Sequence, residues 1–346
     1  MAELIRDTGI KEAGKAVLQG GVIGIANIIP GVSGGTLALM LGIYQRTIDA
    51  VCSVNLALLG KVVALRKGKA GWDDLWQYAK EQGLVFLAWL GAGALLAIVL
   101  FARVMGWVLE NHLGPAYAFF GGLVLASIVF PWRCLTRRSW RELLAGLLAC
   151  MLVVGMSFGV TDQDRLEKVE RKQLLAQDGE AGVEQGAGVD AARMLLIFMA
   201  GVLAVSAMVL PGISGSFILL LMGVYFDILA AINQRELLVL LLFVAGIGVG
   251  LLVFTRFISK LLTRAFNVTM AFMIGLMVGS LYELWPFKGR AMVGDEVVVL
   301  GNTLQEISRG QWGTAFVAFV AGVAIVLGFA VVGGKGTVKS LSAIPG

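Results

Sequence analysis

Six stretches of the chain, residues 84–102, 113–132, 143–161, 237–255, 265–282 and 310–334, carry no charged side chain. Each is close to the roughly 20 residues that an α-helix needs to cross the hydrocarbon of a bilayer. Backbone inside hydrocarbon must bond its own polar groups, and a helix does so within one segment. Composition agrees: 58% of the 346 residues are hydrophobic and 15% are charged, with a mean hydropathy of +0.86, far from an average soluble domain. The expected fold is an all-α polytopic membrane protein with six full spans.

The charges between the runs set an orientation. Arg6, Lys11 and Lys15, then Lys61, Arg66, Lys67 and Lys69, then Arg133, Arg137, Arg138 and Arg141, then Lys260 and Arg264, and finally Lys335 and Lys339 all fall on one side if the six spans alternate. By the positive-inside rule that side is the cytoplasm, and both termini lie there. Residues 61–82 form a basic cytoplasmic loop. Residues 162–192, with eight acids and four bases, form a polar extracytoplasmic linker. Trp132, Trp140, Trp285 and Trp312 stand near span ends as interfacial anchors. The net charge of +5 therefore reads as topology and not as a nucleic-acid surface. The N-terminal residues mix acids and bases and do not resemble a removable signal peptide.

Two further uncharged runs, residues 16–45 and 194–226, do not fit this scheme. They are long for one span and short for two. Pro30-Gly31 and Pro211-Gly212 interrupt them near the centre, and proline removes a backbone donor and clashes with the preceding turn. Ser33 and Ser214 are then placed to cap a second helix that runs on to Tyr44 and Tyr225. The expectation is a re-entrant helical hairpin in each run; the alternative is a pair of full spans in each, ten spans in all.

The two runs are copies. At an offset of 181, Pro30, Gly31, Ser33, Gly34, Leu39, Gly42 and Tyr44 recur as Pro211, Gly212, Ser214, Gly215, Leu220, Gly223 and Tyr225. At an offset of 153, Phe101, Arg103, Leu109, Ala118, Phe119, Gly122, Leu123 and Ser127 recur as Phe254, Arg256, Leu262, Ala271, Phe272, Gly275, Leu276 and Ser280. Residues 1–161 thus form a first repeat, with its hairpin at 16–45 and three spans. Residues 193–346 form a second, with its hairpin at 194–226 and three spans. An odd number of spans per repeat makes the second enter the bilayer from the opposite face, the inverted arrangement of many secondary transporters.

The chemistry at the breaks favours an anion. A helix that begins after the break directs unsatisfied N–H groups and its positive dipole end at the turn. Gly31, Gly34, Gly35, Gly212 and Gly215 allow close approach, and Ser33, Thr36, Ser214 and Ser216 add hydroxyls. Glycine and serine also permit close helix packing, the plainer reading of Gly246, Gly248 and Gly250. Arg103 and Arg256 are repeat-equivalent partners for phosphate oxygens, or they snorkel to the headgroups. Asp49, Asp227 and Glu283 are candidates to carry a coupling proton or sodium ion, each also at a span end where an acid is simply solvated. His112 is the one histidine, and Cys52, Cys134 and Cys150 are scattered, so no metal site or cofactor is expected. Residues 31–35 match G-x-S-x-G only formally, since neither a strand nor a base accompanies them, and residues 333–337 lack the hydroxyl that follows a P-loop lysine. No enzyme is expected; a membrane enzyme acting on a lipid phosphate is disfavoured by the lack of a clustered acidic or histidine-rich site.

The pair IPGVSGGTLALMLGIY and LPGISGSFILLLMGVY resembles the signature of the polyprenyl-phosphate transporter family, PopT. The resemblance covers nearly the whole chain, including its duplicated layout. It implies a bacterial cytoplasmic-membrane protein that returns undecaprenyl phosphate, the lipid carrier of cell-wall precursors, from the outer to the inner leaflet. The matching motif positions are Pro30, Gly31, Ser33, Gly34 and Gly35, with Pro211, Gly212, Ser214, Gly215 and Ser216. The second copy has Ser216 and Phe217 where the first has Gly35 and Thr36, so the half-sites are expected to hold a phosphate head unequally. The competing class is a channel or ion-coupled exchanger for a small anion, which uses the same helix ends without a lipid tail.

Overall fold

The computed structural model describes residues 10–28, 33–137, 139–159, 161–163, 165–167, 169–170, 191–294, 296–304 and 308–342. The first part holds α1 (Ile10–Ile28), α2 (Gly34–Met40), α3 (Tyr44–Cys52), α4 (Leu56–Val63), α5 (Lys69–Glu81), α6 (Leu84–Asn111), α7 (Leu113–Ser127), α8 (Val129–Cys134) and α9 (Trp140–Phe158). The second holds α10 (Ala191–Val209), α11 (Gly215–Leu221), α12 (Tyr225–Gln234), α13 (Leu237–Arg264), α14 (Phe266–Glu283), strands β1 (Lys288–Val293) and β2 (Glu296–Asn302), and α15 (Arg309–Ser342).

Seven helical segments among the described residues are long and apolar enough to cross a membrane: Leu84–Leu109, Leu113–Cys134, Trp140–Phe158, Ala191–Val209, Leu237–Arg264, Phe266–Glu283 and Arg309–Gly328. Six correspond to the expected spans. The seventh is α10, the first arm of the second broken run. The chain is a multi-pass helical membrane protein, and its outward faces are apolar; Leu95, Val99 and Leu100 on α6 and Phe316 and Val317 on α15 are among the exposed side chains.

Each broken run consists of three helices where the sequence suggested two. After the interruption, α2 and α11 last seven residues each. They stop before Gly42 and Gly223, whose φ values of 68° and 71° lie in the left-handed region that glycine enters without the steric cost of a Cβ. New helices then start at Tyr44 and Tyr225. Continuous helices from Ser33 to Tyr44 and from Ser214 to Tyr225 are therefore corrected: the repeated glycine ends the helix four residues after Ala38 and Leu219, and the chain turns. Pro30 and Gly31 lie outside the described residues, as does most of the expected polar linker.

One other expectation changes. The basic loop at 61–82 is largely helical, formed by the end of α4, a single 3-10 turn at Ala64–Lys67 and α5. The side chain of Asn55 caps α4 by accepting from the N–H groups of Ala57 and Leu58. Gly71 lets α5 fold back against the Ala64 backbone, where a Cβ would lie 2.0 Å from the carbonyl oxygen. The fold is that of an all-α polytopic membrane protein with one short β-hairpin added. β1 and β2 pair antiparallel around Gly294, with Ala291 opposite Val298 and Met292 opposite Val297.

The helices pack in four extensive pairs: α1 with α6, α10 with α13, α7 with α15, and α9 with α14. Glycines create these close approaches. A Cβ at Gly20 would lie 1.9 Å from the Leu90 carbonyl oxygen, and one at Gly246 would lie 2.1 Å from that of Phe198. Between the two parts of the chain, Gly122 and Gly322 abut the backbones of Phe319 and Phe119, while Gly275 abuts Gly146. Lipid competes poorly for such contacts, since van der Waals packing rather than apolar transfer drives association between helices in a bilayer. Gly246 and Gly250 are thus packing glycines as expected, whereas Gly248 faces open space. The centre is built around α14, whose Met270, Met273, Leu276 and Met277 are fully buried.

Candidate functional site

The short helix α2 sits in this centre with Gly35, Thr36, Leu37, Ala38, Leu39 and Met40 all buried. Ser33 precedes it in extended conformation and caps it, accepting from the Gly35 N–H at 3.2 Å. The carboxamide oxygen of Asn27 accepts from the Gly34 N–H at 3.0 Å. Two N–H groups at this turn are therefore satisfied from within the chain: Ser33 caps the helix as its position suggested, and Asn27 takes the Gly34 N–H.

The Ser33 hydroxyl proton goes elsewhere. It is donated to the Leu210 carbonyl at 2.9 Å, with the Met208 carbonyl at 3.4 Å. Those carbonyls close α10, just before Pro211, where no following N–H can continue the helix. The Tyr44 hydroxyl donates to the next acceptor, the Val209 carbonyl, at 3.2 Å. The first repeat thus caps the broken helix of the second. Gly35 lies between them, and a Cβ there would stand 2.8 Å from the Val209 oxygen and 3.2 Å from the Pro211 nitrogen. Ser214 and Tyr225, the repeat equivalents, are also engaged with partners. At Gly212, φ is +89° and a Cβ would lie 2.6 Å from the Leu276 carbonyl oxygen. Gly215 packs against Met208 and the Ala204 carbonyl. Among these buried groups the hydroxyl of Thr36, 1% exposed, has no hydrogen-bond partner.

The structure thus brings Ser33, Gly35 and Thr36 of one copy against the break at Pro211 and Gly212 of the other. Other candidates lie apart. Arg103 is exposed on α6. Arg256 is exposed on α13 and donates to the Val54 carbonyl at 2.7 Å, just beyond α3. Asp49 accepts from Gln45 at 2.8 Å, and Asp227 pairs with Arg193 at 2.6 Å. Glu283 stands between Arg165 at 3.8 Å and Lys288 at 3.6 Å. Among the described residues no group of His, Cys, Asp and Glu side chains is arranged to hold a metal ion.

Tyr44 and Asn27 are the participants that motif reading undervalues. Tyr44 carries a legible signal, since its copy Tyr225 occupies the same place in the second repeat. Asn27 has none, as residue 208 at that offset is methionine.

The start of α2 thus meets the break between α10 and α11 in the buried centre of a multi-pass helical membrane protein. A family model described as VCA0040-like, undecaprenyl phosphate translocase-like, matches residues 23–297, and the chain belongs to that family. A polyprenyl-phosphate transporter of Vibrio cholerae serotype O1 is 33% identical over 323 residues, covering 90% of this chain and 94% of the relative. A polyprenyl-phosphate transporter of Staphylococcus aureus is 28% identical over 282 residues, covering 78% and 85%. No solved structure matches.

Proposed function

We propose that the protein moves undecaprenyl phosphate from the outer to the inner leaflet of the bacterial cytoplasmic membrane, with the phosphate head passing between the two helix breaks. Family membership and the relatives' names support polyprenyl phosphate as the substrate. The observation that carries the site is the hydrogen bond from Ser33 to Leu210 across the two copies. A hydroxyl has one proton to donate, so Ser33 cannot serve a phosphate and Leu210 together. In this conformation the breaks hold each other. An arriving phosphate oxygen, a stronger acceptor than a carbonyl, takes the Ser33 proton and frees the end of α10. Binding and separation of the copies become one event.

In this reading the copies are inverted repeats, entered through re-entrant hairpins from opposite leaflets. The repeated offsets, the matched helix lengths and the matched breaks support it. Thr36 adds the buried unpartnered hydroxyl, and Ser214 and Ser216 act from the second copy. Arg103 and Arg256 gather the head at the outer and inner leaflets, and the isoprenoid tail stays in lipid.

Transbilayer movement of labelled polyprenyl phosphate in liposomes tests the proposal. Wild-type protein is expected to accelerate it over protein-free vesicles, and Ser33→Ala/Ser214→Ala to lose at least tenfold. Undiminished movement in the double variant overturns the site. Saturable transport of a water-soluble anion unaffected by polyprenyl phosphate would replace the proposal with the small-anion exchanger.

A further inference from the structure

A polar cavity of about 260 Å³ lies at the C-terminal ends of α9 and α14, lined in part by Arg165, Glu283, Lys288 and Asn302. In the topology proposed above this is the extracytoplasmic end. The Lys288 side chain is 2% exposed, and burial lowers its pKa from the ordinary lysine value. Its ammonium sits 5.5 Å from the centre of the Tyr117 ring. The Glu283 carboxylate forms ion pairs with Lys288 at 3.6 Å and Arg165 at 3.8 Å. The buried Nε of Arg165 has no partner. Asp162 is committed to the Gly301 N–H at 2.7 Å. The Asn302 carboxamide donates to the Tyr282 carbonyl at 2.8 Å, which fixes its orientation and leaves its buried oxygen unpartnered.

The cavity therefore offers one unpartnered donor on Arg165 and one unused acceptor on Asn302, beside a Lys288 whose single anionic partner, Glu283, is shared with Arg165. An oxyanion that also carries a hydroxyl satisfies both, and a singly protonated phosphate monoester is such a group. A second cavity of about 260 Å³, lined by Tyr282, Trp285, Asn302, Thr303 and Leu304, shares Tyr282 and Asn302 with the first. Its walls are chiefly apolar, and the neighbouring Phe158 and Tyr282 rings pair at 5.3 Å on the exposed surface. Polar and apolar compartments side by side fit an amphiphile.

We infer that these adjoining cavities form a separate receiving site for a prenyl phosphate, with the phosphate held by Arg165, Lys288 and Asn302 and the first isoprene units against Tyr282, Trp285 and Leu304. Glu283 is then a stand-in for the phosphate, keeping the two cations in place until the ligand displaces it. The inference rests on the prenyl-phosphate reading of the substrate.

Calorimetric titration of the full-length protein in detergent with farnesyl phosphate, farnesol and inorganic phosphate tests it. Arg165→Gln/Lys288→Gln is expected to weaken farnesyl phosphate at least tenfold. Glu283→Gln, which removes the competing charge at constant size, should tighten it severalfold. Trp285→Ala should weaken farnesyl phosphate and leave inorganic phosphate unchanged. Unchanged affinity in the double variant, or weaker binding in Glu283→Gln, overturns the site. Inorganic phosphate bound as tightly as farnesyl phosphate overturns the lipid form of the inference and leaves a free-anion site. The Glu283→Gln arm keeps the test decisive if the double variant fails to fold. Liposome movement separates the two proposals. Lipid movement and probe affinity both unaltered in the double variant sink this site alone, whereas probe binding that responds to the variants without any lipid movement sinks the transport reading alone.

Discussion

Ser33 has one proton, and its destination determines what the paired breaks are doing. In the conformation described here it caps α10 through Leu210, so Ser33→Ala removes a part-buried bond worth about 1 kcal/mol. The contact at Gly35 is more demanding. A methyl group there meets backbone on the opposite copy, at Val209 and Pro211, and backbone cannot swing away as a flexible side chain can. Gly35→Ala should therefore cost about 1–3 kcal/mol, read as a lower melting temperature in detergent. Under the proposed function it should also alter lipid movement, since it disturbs the contact between the copies at Val209 and Pro211. A variant that melts as wild type does would show that the two breaks are not in contact. Gly35 also explains the departure between the copies: its equivalent is Ser216, so the tight approach is made from the first copy's side.

At the scale of elements, one pair of interactions exposes the duplication more sharply than sequence identity does. Glu12 on α1 faces Arg46 on α3 at 3.9 Å, and Arg193 on α10 faces Asp227 on α12 at 2.6 Å. The positions correspond at the same offset of 181, but the signs are exchanged. Identity scoring misses this because no residue is conserved between the copies; only the attraction is. Each pair ties the start of a broken run to the helix that follows its second turn. Arg46→Asp is expected to destabilise by about 1 kcal/mol, through the ion pair and the Arg46 stacking on Phe86 at 4.0 Å, and Glu12→Arg/Arg46→Asp to recover the ion-pair part by recreating the pair of the second copy. Thermal unfolding of the two variants checks this, and a double variant no better than the single one would mean that the pair carries no coupling. The spans and breaks were legible because charge exclusion and proline act locally. The ends of α2 and α11 were half legible: Gly42 and Gly223 stood out as repeated, but a repeated glycine serves packing as readily as a turn. The β-hairpin was not legible in hydropathy, because a short run such as Val297-Val298-Val299 is too brief to register beside a 20-residue span. The capping of Gly34 by Asn27 and the cavity around Lys288 depend on residues far apart in sequence or unmatched between copies, and no spacing rule reaches them.

The pairing of helices shows how the copies share one molecule. Within each copy the arm before the break packs on the first long helix, α1 on α6 and α10 on α13. The remaining pairs cross over: α7 of the first copy packs on α15 of the second, and α14 of the second on α9 of the first. Gly122 and Gly322 seat one crossed pair and Gly146 and Gly275 the other, all in backbone contact. The last helix of each copy thus belongs structurally to its partner, while the α1–α6 and α10–α13 pairs carry the breaks. This division suits a protein in which the crossed pairs form a fixed frame and the break-bearing pairs part and rejoin around the Ser33–Leu210 contact. It also means that the covalent connection between the copies is not what keeps them together. A protease site introduced between residues 171 and 190 and cut in the purified protein should leave fragments that co-purify in mild detergent, since two glycine-seated helix pairs still join them. Separation of the fragments would show that the copies are independent domains held by their linker. Introducing Gly122→Leu/Gly275→Leu into the cleavable protein should weaken that co-purification, because each leucine forces apart one crossed pair and leaves the copies joined by smaller contacts such as Ser33–Leu210 and Arg256–Val54.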